Sequence, residues 1–295
     1  MVKLALITKS DVMTNFVVPI DFSVDSLKGL EWAILFSQKR SVNIQMVYVL
    51  SNSSDFQPSV VELEQKYAQA HFAKLVKEYA PRMGKESKLK HIIKKGKVYR
   101  EVVNQVNSYK DAVVSASTHG ASGFEELFIG SNALKIMAAT EQPVFTMRTM
   151  VPRDIRKIVV PIKLHLDTRQ KAPMVADIAE LFGAEVHVVS ISTQKNKRDL
   201  ARLESYSRQV ERYFATRRVK TIQKSLMGES LPSLTCNYCE AVDADLIAIM
   251  SSALDKWNVM LGSYAQQMVK SSPVPLLSIT PKEKQIPAGF STSGG

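Results

Sequence analysis

A glycine-bearing segment between a predicted strand and a predicted helix is the part of this sequence best suited to chemistry. Residues 118–131 read THGASGFEELFIGS and include Gly120, Gly123 and Gly130. Backbone N–H groups in a loop that enters a helix are unpaired and can bind an anion. Because glycine has no Cβ, Gly120 and Gly130 allow a ligand to approach the backbone closely. The segment therefore predicts a phosphate-binding loop.

Two predicted elements must hold this loop in place. Residues 111–117 are mostly small or β-branched, which is typical of a buried strand in a parallel sheet. Residues 131–139 have apolar side chains at helical spacing, with Ser131 available as the N-cap. We expect the N–H groups of Gly130, Ser131 and Asn132 to face the phosphates, with the Ser131 hydroxyl as a further donor. The sequence has no G-x4-G-K-[ST] motif, so no P-loop lysine is expected at the γ-phosphate.

The sequence repeats its pattern once along its length. FVVPID at residues 16–21 returns as IVVPIK at 158–163, and the apolar segment 43–51 returns at 184–192. Three further matches follow in the same order: 111–114 with 245–248, 130–131 with 262–263, and 142–145 with 272–275. A repeat of this length indicates a duplicated domain rather than an array of short units.

Strands alternate with helices in each half, which indicates βαβ units with right-handed crossovers. The helices predicted in the first half span residues 26–39, 60–79, 98–108 and 131–139. The second of them is expected to place Tyr67, Phe72, Leu75 and Tyr79 on one face. We therefore predict an α/β fold of two tandem doubly wound, Rossmann-like parallel sheets.

The domain boundary is expected where two arginines, a proline and an aspartate interrupt the apolar pattern, within residues 149–156. The predicted domains are residues 1–149 and 156–281. Residues 282–295 are rich in Gly, Ser, Thr and Lys and are predicted to be a disordered tail.

Length and composition narrow the class of protein. A chain of 295 residues with 45% apolar and 23% charged residues is a globular protein long enough for two cores. No apolar run approaches the ~18 residues of a membrane helix, and residues 4–7 are too short for a signal-peptide core. The two cysteines, Cys236 and Cys239, fit a reducing compartment. We expect a cytoplasmic protein with no membrane partner.

The net charge of +11 favours acidic partners. Basic residues concentrate in 195–220, where five apolar residues keep helical spacing: Leu200, Leu203, Val210, Tyr213 and Phe214. This pattern predicts one amphipathic helix with a solvated basic face. A surface for an anionic partner is the alternative interpretation, and nucleic acid is not the expected partner.

These motifs resemble those of the universal stress protein family across residues 16–148, and the whole chain resembles a tandem member. The family's nucleotide motif is a strand followed by G-x2-G-x9-G-[ST]. Here it stands as Ser117-Thr118-His119-Gly120, nine residues, then Gly130-Ser131. Ser117 replaces the first glycine, which costs roughly 1 kcal/mol if that position needs positive φ.

The resemblance implies that Asp21 holds the adenosine part of a nucleotide and that Val49 lines the adenine pocket. The physical argument agrees, because ligands of open α/β sheets bind at the carboxyl ends of strands. An aspartate there can accept hydrogen bonds from ribose hydroxyls or an adenine-side donor. The expected ligand is ATP or a related adenine nucleotide, with or without Mg²⁺. The candidate binding residues are Pro19, Ile20, Asp21, Val49, Ala116, Ser117, His119, Gly120, Gly123, Gly130, Ser131 and Asn132.

The second half is expected to have lost this site. Lys163 replaces Asp21, and residues 251–257 contain no glycine in a loop two residues shorter. Family members pair through their last strand, so residues 143–148 and 273–279 should meet edge to edge in an intramolecular pseudo-dimer. Further association into a homodimer is left open.

Cys236 and Cys239 form a C-x2-C pair on a predicted helix between residues 229 and 242. Packing, redox sensing and metal binding are the three interpretations. No second pair supplies the four ligands of a structural zinc.

The function that these observations indicate is a stress-response regulatory protein that binds an adenine nucleotide and acts on a protein partner. One alternative is a slow Mg²⁺-dependent ATPase that uses Asp21 and His119. Another is a nucleotide-free scaffold that engages an acidic partner through the basic helix, and the glycine loop would then be a tight connection only.

Overall fold

The computed structural model of the chain describes residues 13–50, 58–118, 131–251 and 262–281. In the first half, strands and helices alternate in this order: β1 (Asn15–Pro19), α1 (Val24–Ser37), β2 (Asn43–Leu50), α2 (Pro58–Tyr79), β3 (Lys88–Lys95), α3 (Val98–Asn107), β4 (Ala112–Ser117), α4 (Ser131–Ala139) and β5 (Val144–Met147). The predicted tail at 282–295 lies outside the described residues.

The second half repeats this order, with a short 3-10 helix, Leu166–Arg169, before its first α-helix. Its elements are β6 (Lys157–Ile162), α5 (Ala172–Phe182), β7 (Glu185–Ser192), α6 (Lys197–Thr216), β8 (Thr221–Met227), α7 (Leu231–Ala241), β9 (Leu246–Met250), α8 (Ser263–Ser271) and β10 (Leu276–Ile279). The duplicated α/β architecture predicted from the repeat is confirmed.

The ten described strands form one sheet in the order β3-β2-β1-β4-β5-β10-β9-β6-β7-β8. Neighbouring strands are parallel within each half. The halves meet where β5 and β10 pair antiparallel, with Phe145 opposite Leu277. The predicted edge-to-edge pairing of residues 143–148 with 273–279 is therefore present. Because β5 and β10 pair with each other, neither leaves its backbone groups open to another chain.

The central strands are apolar on both faces because helices cover both sides of the sheet. Along β1, Phe16 and Val17 point to opposite faces and belong to two separate apolar clusters. The cluster around Phe16 continues into the second half, where the rings of Phe36 and Phe182 lie 5.0 Å apart between centroids. The two halves therefore share this apolar cluster as well as one sheet.

The helix predicted at 26–39 begins earlier, at Val24, because Ser23 is its N-cap. The Ser23 hydroxyl accepts a hydrogen bond from the Ser26 backbone N–H at 3.1 Å. Ser131 was expected as an N-cap, but α4 begins at Ser131 itself. The equivalent α8 also begins at a serine, Ser263, and the cap position there belongs to Gly262.

The amphipathic patterns hold with local exceptions. In α2, Phe72, Leu75 and Tyr79 are buried. Tyr67 is 51% exposed, but its ring lies 6.0 Å from that of Phe22, which also contacts Phe72. The Tyr67 ring also lies over that of His71, with centroids 3.9 Å apart.

The basic segment folds as predicted into one amphipathic helix, α6. Leu203, Val210 and Phe214 are buried, whereas Leu200 and Tyr213 are only partly covered. No helix among the described residues is both long enough and apolar enough to cross a membrane.

Candidate functional site

Three of the predicted site residues lie at the carboxyl ends of adjacent strands in the first half. Pro19 of β1 stands opposite Val47 of β2, so Val49 extends as far along the sheet as Asp21 does. Val17 of β1 stands opposite Val114 of β4, and β4 then continues to Ser117. β1 is the strand at which the chain order reverses in this half, which is where ligands of such sheets bind.

Asp21 is exposed and hydrogen-bonded within its own turn. Its Oδ1 accepts from the Ser23 backbone N–H at 3.0 Å and from the Ser23 hydroxyl at 2.5 Å. Its own N–H donates to the Ser26 hydroxyl at 3.4 Å. A carboxylate at this place also interacts favourably with the amino-terminal end of α1. Asp21 therefore shapes the entry to the helix, in addition to any role towards a ligand.

Phe22 has a left-handed backbone conformation, with φ of 63°. This conformation is uncommon for a bulky residue and is held by surrounding packing. The Phe22 ring lies 4.9 Å from that of Tyr48 and 5.1 Å from that of Phe72, between centroids. The turn thus packs a partly buried aromatic side chain directly beside the exposed Asp21.

Tyr48 lies near the carboxyl end of the neighbouring strand, β2, and its ring contacts that of Phe22. Its hydroxyl donates to Glu64 of α2 at 2.9 Å. Burial, and then the hydrogen bond to Glu64, raises the pKa of Tyr48 to about 12. Tyr48 is therefore a neutral hydrogen-bond donor at physiological pH.

The remaining predicted residues divide between described and undescribed parts. Ile20 and Ala116 are buried, and Asn132 is exposed at the start of α4. His119, Gly120, Gly123 and Gly130 lie outside the described residues, so the phosphate loop stays a prediction.

A cavity of about 70 Å³ lies at the equivalent place in the second half. The described residues that line it are Pro161, Lys163, His165, Thr168, Lys171, Ile249, Met250, Tyr264 and Pro281. Lys163 follows β6 as Asp21 follows β1. The Lys163 Nζ lies 3.9 Å from the centroid of the Tyr264 ring, and burial lowers its pKa. The sequence predicts a lost site here, and the cavity was not predicted.

Lys171 is buried at this cavity with 1% of its surface exposed. Its Nζ donates to the Thr168 carbonyl oxygen at 2.6 Å and to the Thr168 hydroxyl at 3.2 Å. Burial, and then the nearby Lys163 ammonium, holds the pKa of Lys171 well below its usual value.

Lys171 takes the place that a glycine occupies in the first half. Gly29 lies eight residues after Asp21, and Lys171 lies eight residues after Lys163. Gly29 lets α1 approach β4, because a Cβ at this position would lie 2.5 Å from the Ser115 carbonyl oxygen. The Ser115 hydroxyl also donates to the Gly29 carbonyl oxygen at 2.8 Å. This spacing is the sequence signal by which Lys171 could have been found.

The C-x2-C pair lies on α7, and both thiols are buried. The Cys236 sulfur lies 3.6 Å from the backbone oxygen and from the hydroxyl of Ser271. Burial raises the pKa of both thiols, Cys239 the more strongly. Within the part of the chain that the structure describes, no three His, Cys, Asp or Glu residues are grouped as metal ligands.

Both halves of the chain match the sequence model of one protein family. A sequence model described as the universal stress protein family matches residues 13–148 and again 154–279. No curated protein matches the chain in sequence.

Solved structures with the same fold include three that cover nearly the whole chain. A universal stress protein from Archaeoglobus fulgidus DSM 4304 has a TM-score of 0.74 at 17% identity, with 92% of this chain and 97% of that chain covered. A functionally unknown protein from Pseudomonas aeruginosa PAO1 has a TM-score of 0.62 at 14% identity, with 91% and 93% covered. A putative universal stress protein from Pseudomonas aeruginosa UCBPP-PA14 has a TM-score of 0.63 at 14% identity, with 91% and 94% covered. At these identities the likeness shows the fold alone.

Proposed function

Because this chain belongs to the universal stress protein family, we propose that it is a stress-response regulator that binds ATP or a related adenine nucleotide in its first half. The proposal assigns the nucleotide to a domain at residues 1–149. A second domain at 156–281 is the partner that completes the sheet. The cytoplasmic location expected from the cysteine content is part of the same proposal.

The observation that carries the proposal is the convergence of Asp21, Val49 and Ser117 at the ends of β1, β2 and β4. They would offer an acceptor, an apolar contact and a hydroxyl at the same edge of the sheet. Asp21 would accept from ribose hydroxyls or an adenine-side donor while its Oδ1 keeps the contacts to Ser23. Val49 would contact the base.

The phosphates would lie towards the amino-terminal end of α4. Backbone N–H groups of Ser131 and Asn132 are at the first turn of that helix, where the helix dipole favours an anion. A companion Mg²⁺ would be held by phosphate oxygens, and we assign it no protein ligand. The proposed role is binding and signalling to a protein partner rather than hydrolysis.

The scaffold alternative has weaker support. The residues of α6 include five basic side chains against three acidic ones. Arg208 also pairs with Glu204 on the same helix. A surplus this small on an exposed helix is stable in water, so it needs no acidic partner.

The direct test is titration of the purified chain with MgATP by calorimetry. Replacing a charged acceptor costs about 1–3 kcal/mol, so Asp21→Ala should weaken binding by roughly 10-fold to 100-fold. Asp25→Ala is the matched control, because Asp25 lies four residues further along and pairs with Lys28. Equal binding by both variants, or no binding by the wild-type chain, would refute the proposal.

A further inference from the structure

The cavity beside Lys163 in the second half is lined by cationic and neutral groups. None of the described residues that line it is acidic. Its apolar side is formed by Pro161, Ile249 and Met250, and its polar side carries two lysines. A volume of about 70 Å³ exceeds the ~10–15 Å³ that one water needs, so the cavity has room for a small polyatomic ion.

The polar groups of this cavity are arranged as hydrogen-bond donors. Lys171 Nζ gives two of its three N–H bonds to Thr168, which leaves the third. The Thr168 hydroxyl accepts from the Lys163 backbone N–H at 3.1 Å as well as from Lys171 Nζ, so its own proton remains to be donated.

Lys163 contributes a second ammonium at the same place. Its Nζ contacts the face of the Tyr264 ring and, within the described part of the chain, has no hydrogen-bond acceptor or carboxylate partner. The Tyr264 hydroxyl lies 3.1 Å from the Thr235 hydroxyl, and the ring face, not the hydroxyl, contacts Lys163. Like charges in a poorly solvated site repel each other, and an anion between them removes this penalty.

We propose that this cavity is a binding site for one small tetrahedral oxyanion, such as phosphate or sulfate, held by Lys163, Lys171 and the Thr168 hydroxyl. The site is independent of the proposed nucleotide site, because it lies in the other half and uses other residues. The phosphate group could be a free ion or the end of a larger molecule. Either source uses the same donors.

Calorimetric titration of the full chain with sodium sulfate and with inorganic phosphate tests the proposal. We expect saturable binding of one anion per chain. Lys163→Met and Lys171→Met should each weaken it at least about tenfold, the usual scale for losing a charged hydrogen bond. Lys224→Met removes the same charge from an exposed position on β8 and should leave binding unchanged.

Proton uptake separates this site from general attraction to a basic protein. Sulfate does not titrate near neutral pH, whereas burial lowers the pKa of Lys163 and Lys171, and Lys163 lowers that of Lys171 further. An anion favours the charged lysines, so sulfate binding should raise both pKa values, and at alkaline pH the measured heat should depend on the ionisation enthalpy of the buffer. The groups that face the anion are Lys163, Lys171, His165 and Tyr264. Lys171→Met should reduce this buffer dependence.

Two further arms complete the test. If a simple alkyl phosphate binds more tightly than phosphate, the natural ligand is the phosphate end of a larger molecule. If it binds more weakly, the natural ligand is the free ion.

The unfolding temperature in anion-free buffer shows whether the Lys171→Met variant is folded. If it is not folded, the Lys163→Met variant decides the test. The absence of saturable binding, or equal binding by both cavity variants and Lys224→Met, would overturn the proposal. Neither result depends on nucleotide binding, which Asp21→Ala tests separately.

Discussion

The ends of β1 and β6 share one hydrogen bond but carry side chains of opposite charge. In both, a residue just beyond the strand donates its backbone N–H to a hydroxyl five residues later, Asp21 to Ser26 and Lys163 to Thr168. Three residues further on, Gly29 brings α1 against β4, whereas Lys171 places a buried ammonium at a cavity. This hydrogen bond is therefore compatible with either side chain. A carboxylate or a cation can follow the strand without loss of the scaffold.

The largest effect on ATP binding is expected when Asp21 is replaced by lysine, the residue at the equivalent position in the second half. Asp21→Lys replaces an acceptor by a donor and should weaken ATP binding by at least about 100-fold, beyond the effect of neutral truncation. Asp21→Asn keeps one acceptor for the Ser23 contacts and should lose less. Calorimetry with MgATP gives both affinities. If the Asp21→Lys variant still bound ATP, the proposed difference between the two halves would be wrong.

A second change tests whether Gly29 is required for contact between α1 and β4. The Cβ of Gly29→Ala would lie 2.5 Å from the Ser115 carbonyl oxygen, so helix and strand must separate. Overpacking of this kind costs roughly 1–3 kcal/mol, which we expect as a lower unfolding midpoint in urea. Gly183→Ala is a comparison with open space around it and φ of 69°, where only backbone strain of about 1 kcal/mol applies. An unchanged midpoint for Gly29→Ala would show that the close approach is not needed.

The pH dependence of the free energy of unfolding should show that Lys171 is buried with a lowered pKa. The pKa of Lys171 is lowered on folding from 10.5, so the unfolded chain binds more protons between the lowered value and 10.5. Stability therefore rises with pH in this window, and the full penalty of burial remains below it. In anion-free buffer, the stability advantage of Lys171→Met over wild type should shrink as the pH rises towards 10.5. A difference between Lys171→Met and wild type that does not change with pH would mean that Lys171 does not titrate abnormally.

The smallest expected effect is on the reactivity of the two cysteine thiols, both of which lie in the second half. Burial raises the pKa of Cys236 and Cys239, so little thiolate forms near neutral pH. We expect slow reaction with a thiol reagent in the native protein and fast reaction in denaturant. Rapid native reaction or a readily formed disulfide would favour redox sensing over packing.

Much of the fold followed from the sequence because apolar periodicity and the repeated VVPI segment define the strands twice. The candidate residues Asp21 and Val49 could also be placed, since both follow recognisable strands. Phe22 could not, because a bulky residue gives no sign of left-handed backbone. Lys171 was not predicted, because it lies outside the segments that match between the two halves. A lysine inside a core also contradicts the usual burial pattern.

The most direct test of the central claim is the number of ATP molecules bound per chain at saturation, measured by equilibrium dialysis. We expect one ATP molecule per wild-type chain, one per Lys163→Met chain and none per Asp21→Lys chain at the same concentration. Two per wild-type chain, or loss of binding in Lys163→Met with retention in Asp21→Lys, would contradict it.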